Sequence, residues 1–168
     1  AYVPNKIESI ICFLACAKNG IIWSSCSPDF GAQGVVDRFK QIEPKVLITC
    51  DYYYYNGKKI NIIDKVDQIL KEISSIKNVI AYNYNKKEKE DLKNFISFEE
   101  TLNSNLNENF ERFEFDHPIY ILFSSGTTGK PKCITHGTGN VLIEHNTEFM
   151  LHCDIRDKEK LFYYTTTG

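Results

Sequence analysis

The sequence predicts an α/β fold with largely parallel sheets flanked by helices. Two observations carry that expectation. Segments of helical period alternate with short apolar runs, and Gly20 and Pro44 stand where helices should stop.

Taken in order, Asn5 is placed to cap a first helix, with Glu8 three residues on as a capping-box partner. Ile7, Ile10, Ile11, Leu14 and Ala15 follow helical spacing, and Gly20 ends the run. Ile21, Ile22 and Trp23 read as a short buried strand, and Ser27-Pro28-Asp29 as a turn. A second helix is expected over 33–42, with Val35, Val36, Phe39 and Ile42 on one face and Pro44 closing it. Strands follow at 46–49 and 79–82, separated by a helix carrying Ile63, Val66, Ile69, Leu70 and Ile73. The tyrosines at 52–55 read as strand-end and surface residues. Residues 83–116 are rich in Asn, Lys and Glu and read as a solvated excursion with a short helix at 97–102. An apolar, aromatic strand at 119–123 follows, then an extended stretch at 133–136, a helix over 141–151 and a last strand at 161–164.

Composition narrows the function classes. The chain has 168 residues, 42% of them hydrophobic, which suffices for one domain with a core. A net charge of −2 gives no electrostatic case for nucleic acid or an acidic membrane. No apolar run approaches the roughly 20 residues of a membrane helix. Residues 1–20 lack the basic start of a secretory leader, and no N-x-[ST] sequon occurs. A cytoplasmic protein is therefore expected. The six cysteines form no C-x-x-C pair and no zinc-finger spacing; Cys12 and Cys16, one helical turn apart, suggest buried thiols rather than a disulfide scaffold.

The chemistry-bearing segment is Ser124-Ser125-Gly126-Thr127-Thr128-Gly129-Lys130-Pro131-Lys132. Its glycines let backbone N–H groups close on an anion, its hydroxyls donate to phosphate oxygens, and its lysines add positive charge. It leaves an apolar strand, where α/β folds place ligands. A polar hairpin turn would have the same composition. It is not a Walker A loop, because two residues separate the glycines and Pro131 follows Lys130. Asp29-Phe30-Gly31 spells a kinase metal motif without the other kinase segments and is read as a turn into the second helix. Gly137-Thr138-Gly139 lacks the third glycine of a dinucleotide fingerprint. His136, His145 and His152 lack the i,i+4 spacing of helical metal ligands, although His136 follows the loop directly. No metal site is expected.

Residues 125–132 resemble the phosphate loop of the adenylate-forming enzymes, S-G-[ST]-T-G-x-P-K-G, with Cys133 in place of the final glycine. Acetoacetyl-CoA synthetases share that P-K-C, and their pattern is similar at Trp23-Ser24-Ser25, Ser27-Pro28-Asp29-Phe30-Gly31, Asp37-Arg38-Phe39 and Tyr163-Tyr164-Thr165-Thr166. The resemblance covers nearly the whole chain and weakens through 83–116. It implies that residues 1–168 are part of an N-terminal AMP-binding domain, with the C-terminal domain and its adenylation lysine absent. It further implies an ATP-dependent acid–thiol ligase that makes acetoacetyl-CoA through acetoacetyl-AMP, using ATP with Mg2+, acetoacetate and coenzyme A. Ser124, Ser125, Gly126, Thr127, Thr128 and Gly129 would wrap the β- and γ-phosphates, and Lys130 and Lys132 would offset their charge. Residues 165–168 would approach the acyl pocket. No catalytic residue is assigned within the chain, which alone should be inactive. A synthetase for another short acid such as acetate, and a non-catalytic nucleotide- or partner-binding module, are the alternatives.

Overall fold

The computed structural model describes residues 1–88, 92, 94–102, 109–124 and 129–166. At its centre, β1 (Val46–Cys50) and β4 (Asn78–Tyr82) pair in parallel, and β5 (Ile96–Ser97) adds to β4 in the same sense. Tyr2 extends the sheet by single parallel bridges to Thr49 and Cys26. The α/β class with a parallel sheet and flanking helices is thus observed. Two antiparallel hairpins join it: β2 (Tyr52–Tyr55) with β3 (Lys58–Asn61), and β6 (Pro118–Phe123) with β7 (Cys133–Gly137).

Two helices build the core against this sheet. In α2 (Ala32–Phe39), Val35, Val36 and Phe39 are buried; in α3 (Ile63–Glu72), Val66 and Ile69 are buried, and the two helices pack together. Leu47 and Val79 meet them from the sheet. These are the positions that the 3.6 period selects. Gly31 caps α2, and Ser27 Oγ donates to Asp29 Oδ2 at 2.9 Å, so Asp29-Phe30-Gly31 is the turn into a helix. Within 83–116, α4 (Phe98–Thr101) is the expected short helix, with Phe98 buried against the core.

The first helix differs in two ways. α1 (Ile7–Lys18) is capped by Lys6, with no side-chain cap. Asn5 instead donates its Nδ2 to Thr165 O at 2.6 Å. The helix also turns Glu8, Ser9 and Cys12 inward, leaving Ile7 65% and Leu14 58% exposed. Periodicity locates an apolar stripe on this helix but not the side the core lies on, which is the face of Glu8, Ser9 and Cys12. The helix stops as expected. Gly20 adopts φ +63, Ile21 N donates to Cys16 O at 2.9 Å and Gly20 N to Ala17 O at 3.3 Å, the Schellman arrangement. A Cβ on Gly20 would also collide with the Phe113 ring.

Three strand expectations are corrected. Of 21–23, only Trp23 forms a bridge, parallel to Tyr120, while Ile21 and Ile22 are exposed. The 161–164 stretch forms no strand: no described strand lies beside it, and Tyr164 is 92% exposed. Strand β6 is half-buried rather than buried: β7 and Trp23 pair with its edges, but its side chains are only partly covered and Leu122 stays open to solvent. The β2–β3 hairpin was not expected. Its Asn56-Gly57 turn has φ +47 and +73, the left-handed pair a tight two-residue hairpin demands. Finally, α5 (Thr138–Thr147) continues through a π-helical turn at Glu148–His152, so the helix expected over 141–151 is present and starts one turn early.

Candidate functional site

The β6–β7 hairpin carries the loop. Its ladder closes at Phe123↔Cys133, so residues 124–132 span the gap between two paired strands. Ser124 N donates to Lys132 O at 3.1 Å, and Lys132 N donates back to Ser124 Oγ at 3.4 Å. Those two bonds close the neck. Ser125, Gly126, Thr127 and Thr128 lie outside the described residues. Gly129, Lys130 and Lys132 are exposed, and among the described residues neither lysine pairs with a carboxylate. The loop itself contains no acid. A hydroxyl- and amide-rich turn with two available ammonium groups suits phosphate oxygens rather than a bare cation.

Sequence reasoning missed one residue here. Gln41, just beyond α2, donates its Nε2 to Pro131 O at 2.9 Å, and Cys133 Sγ donates to Gln41 Oε1 at 3.6 Å. The contacts span 90 residues or more of chain, and no local pattern marks Gln41.

His136 and His145 are engaged elsewhere. His136 pairs with Tyr120 across the ladder, their rings 4.9 Å apart, so its side chain belongs to the hairpin face. His145 sits 5.8 Å from the Phe149 ring along its own helix. Among the described residues no group of three or more His, Cys, Asp or Glu stands together to hold a metal. Residues 165 and 166 are exposed, Thr165 beside the start of α1 through Asn5, and 167–168 lie outside the described residues.

A cavity of about 410 Å³ lies away from the described loop residues, lined by Lys6, Tyr52, Tyr54, Tyr84 and their neighbours. Its rings pack on one another at 5.2 to 5.7 Å, and Lys59 and Lys6 cover the faces of Tyr52 and Tyr84. Tyr52 and Tyr53 are buried, and Tyr54 and Tyr55 exposed, so the strand runs from the core outward to the Asn56-Gly57 turn rather than alternating in burial.

Of the two thiols expected to be buried, Cys12 is buried and Cys16 half-buried. All six cysteines are free, with Cys12, Cys26 and Cys50 buried. Burial pushes Cys12 and Cys26 up to about 11 and raises Cys50 further, which keeps them protonated and inert.

The family described as AMP-binding enzyme matches residues 1–166. The chain belongs to the AMP-binding enzyme family. Within it, the chain is 46% identical over 174 residues to the acetoacetyl-coenzyme A synthetase of Rhizobium meliloti (strain 1021), covering 100% of this chain and 26% of that protein. It is 40% identical over 176 residues to the acetoacetyl-CoA synthetase of Gallus gallus, covering 99% and 26%. The solved acetoacetyl-CoA synthetase from Streptomyces lividans superposes with a TM-score of 0.92 at 39% identity, over 99% of this chain and 26% of that one. The chain therefore spans about a quarter of the length of the relatives it matches. As an AMP-binding enzyme segment it has the α/β fold of its solved relative nearly end to end, with the β6–β7 loop included in the matched span.

Proposed function

We propose that the protein containing this chain is an AMP-forming acid–thiol ligase that converts acetoacetate to acetoacetyl-CoA, and that residues 1–168 are part of its N-terminal AMP-binding domain. The observation that carries the reading is the loop at 124–132, whose neck is held at the end of a paired hairpin. Similarity to acetoacetyl-CoA synthetases across the whole chain supports the choice of acid.

In the first step a carboxylate oxygen of acetoacetate attacks the α-phosphorus of MgATP. The bond from that phosphorus to the bridging oxygen breaks, and pyrophosphate leaves. In the second, the CoA sulfur, giving up its proton, attacks the acyl carbon, and AMP departs with the electrons of the broken C–O bond. Such chemistry depends on positioning and on stabilising charge as it moves to the leaving group. Ser124, Ser125, Gly126, Thr127, Thr128 and Gly129 hold the β- and γ-phosphates by hydroxyl and backbone N–H donation. Lys130 and Lys132 offset the charge that grows on pyrophosphate. Mg2+ arrives with ATP, and residues 165–168 approach the acyl group.

The adenine and ribose contacts and the adenylation lysine come from the remainder of the protein. Exposed apolar side chains on α1, α5 and residues 161–164 favour this over a free-standing binding module, since patches of this kind are surfaces that want a cover. The partners are then small molecules rather than nucleic acid, and the compartment is the cytoplasm. Among the described residues no helix is long and apolar enough to cross a membrane. Pyrophosphate release by the full-length protein, compared for acetoacetate, acetate and a long-chain acid, tests the reading. Turnover of acetate or the long-chain acid at or above that of acetoacetate would sink it.

A further inference from the structure

One amide holds three groups at the base of the loop. Gln41 Nε2 donates to Pro131 O at 2.9 Å and to Asp37 O, in the last turn of α2, at 2.7 Å. Its Oε1 accepts from Cys133 Sγ at 3.6 Å. Both protons of the amide and its oxygen are used, a combination that only a side-chain amide provides.

The effect falls on one peptide plane. The carbonyl of Pro131 and the N–H of Lys132 belong to the same rigid unit. Gln41 holds the carbonyl end, and Ser124 Oγ accepts from the N–H end at 3.4 Å. Fixing a peptide at both ends fixes the direction in which Lys132 leaves the backbone. The support behind Gln41 is firm, because α2 is seated by the buried Val35, Val36 and Phe39. The same contact gives Cys133, the one departure from the usual glycine of the loop motif, a partner for its thiol.

We propose that Gln41 is a positioning residue for the phosphate loop, acting through Pro131 and Cys133 to aim Lys132 without touching the nucleotide. The inference rests on reading 124–132 as that loop.

The test uses the full-length protein and its Gln41→Ala, Gln41→Glu, Cys133→Gly and Cys133→Ser variants. Pyrophosphate release gives KM for MgATP, acetoacetate and CoA separately from kcat, and hydrogen exchange reads peptides spanning 124–133. Losing the clamp should raise KM for MgATP roughly three- to tenfold in Gln41→Ala, with the other two KM values and the melting temperature unchanged. Gln41→Glu should do no better, since a carboxylate cannot donate to Pro131 O. Cys133→Ser should behave as wild type because it keeps a donor. Cys133→Gly should have a smaller effect that nearly vanishes in the Gln41→Ala background. Exchange at 124–133 should quicken in Gln41→Ala. Unchanged KM for MgATP with unchanged exchange overturns the proposal, as does an equal loss for all three substrates with a lowered melting temperature. If the wild type releases no pyrophosphate with any acid, the enzymatic reading fails by itself. The exchange comparison then decides the clamp: faster exchange in Gln41→Ala supports it and unchanged exchange overturns it.

Discussion

Ser124 and Lys132 hydrogen-bond each other in both directions, Ser124 N to Lys132 O at 3.1 Å and Lys132 N to Ser124 Oγ at 3.4 Å. The first bond is backbone only and survives any substitution that keeps the chain path. The second needs the hydroxyl. Ser124→Ala in the full-length protein should therefore weaken ATP use without dismantling the hairpin. One exposed hydrogen bond is worth about 0.5–1.5 kcal/mol, so KM for MgATP should rise roughly two- to tenfold. Steady-state kinetics with varied MgATP checks this; an unchanged KM would show that the neck does not depend on the hydroxyl.

Gly57 holds the left-handed turn of the β2–β3 hairpin. It sits at φ +73, following Asn56 at φ +47, and a Cβ there meets no neighbouring atom. The cost of Gly57→Ala is thus backbone strain alone, about 1–2 kcal/mol for a left-handed L-residue. Thermal unfolding should show a lowered midpoint, and a neutral result would contradict the turn geometry.

How far the sequence reveals this fold depends on where each element finds its partner. The buried faces of α2 and α3 and the strands β1 and β4 are legible because their apolar periods lie within single segments. The orientation of α1 is not, since Ile7 and Leu14 satisfy the same period as a core stripe, and only packing of Cys12 and Phe13 decides which face turns in. The run at 161–164 has strand composition but no described neighbour to pair with. The β2–β3 hairpin leaves one signal, Asn56-Gly57, but neither the four tyrosines before it nor Lys58-Lys59-Ile60-Asn61 after it alternates, so no strand period accompanies the turn. The loop is legible by composition, whereas Gln41 reaches it only through tertiary structure.

Buried thiols make stability depend on alkaline pH. Cys12 and Cys26 are pushed up from 9.0 to about 11 by desolvation, so the folded chain keeps protons that the unfolded chain releases. Their raised values contribute stability fully below about 9, and that contribution is lost as pH rises from about 9 through about 11. Denaturant midpoints measured from pH 8 to 11 should fall over this window. At pH 8 a maleimide should label the exposed Cys133 rapidly and reach Cys12, Cys26 and Cys50 only after unfolding. Equal labelling rates would contradict the burial.

The 168 residues alone should form no thioester. They cover about a quarter of each synthetase they resemble, and they expose Ile7, Leu14, Leu151 and Phe162. Expressing this segment beside the full-length protein and assaying acetoacetyl-CoA formation checks the point; substantial turnover by the segment would show that it holds a complete site.

The protein carrying this loop is proposed to activate acetoacetate. Pyrophosphate release by the full-length protein, with ATP, Mg2+ and CoA present and acetoacetate, acetate or a long-chain acid supplied in turn, tests this most directly. The highest kcat/KM is expected with acetoacetate. Equal or higher kcat/KM for acetate or the long-chain acid would contradict it.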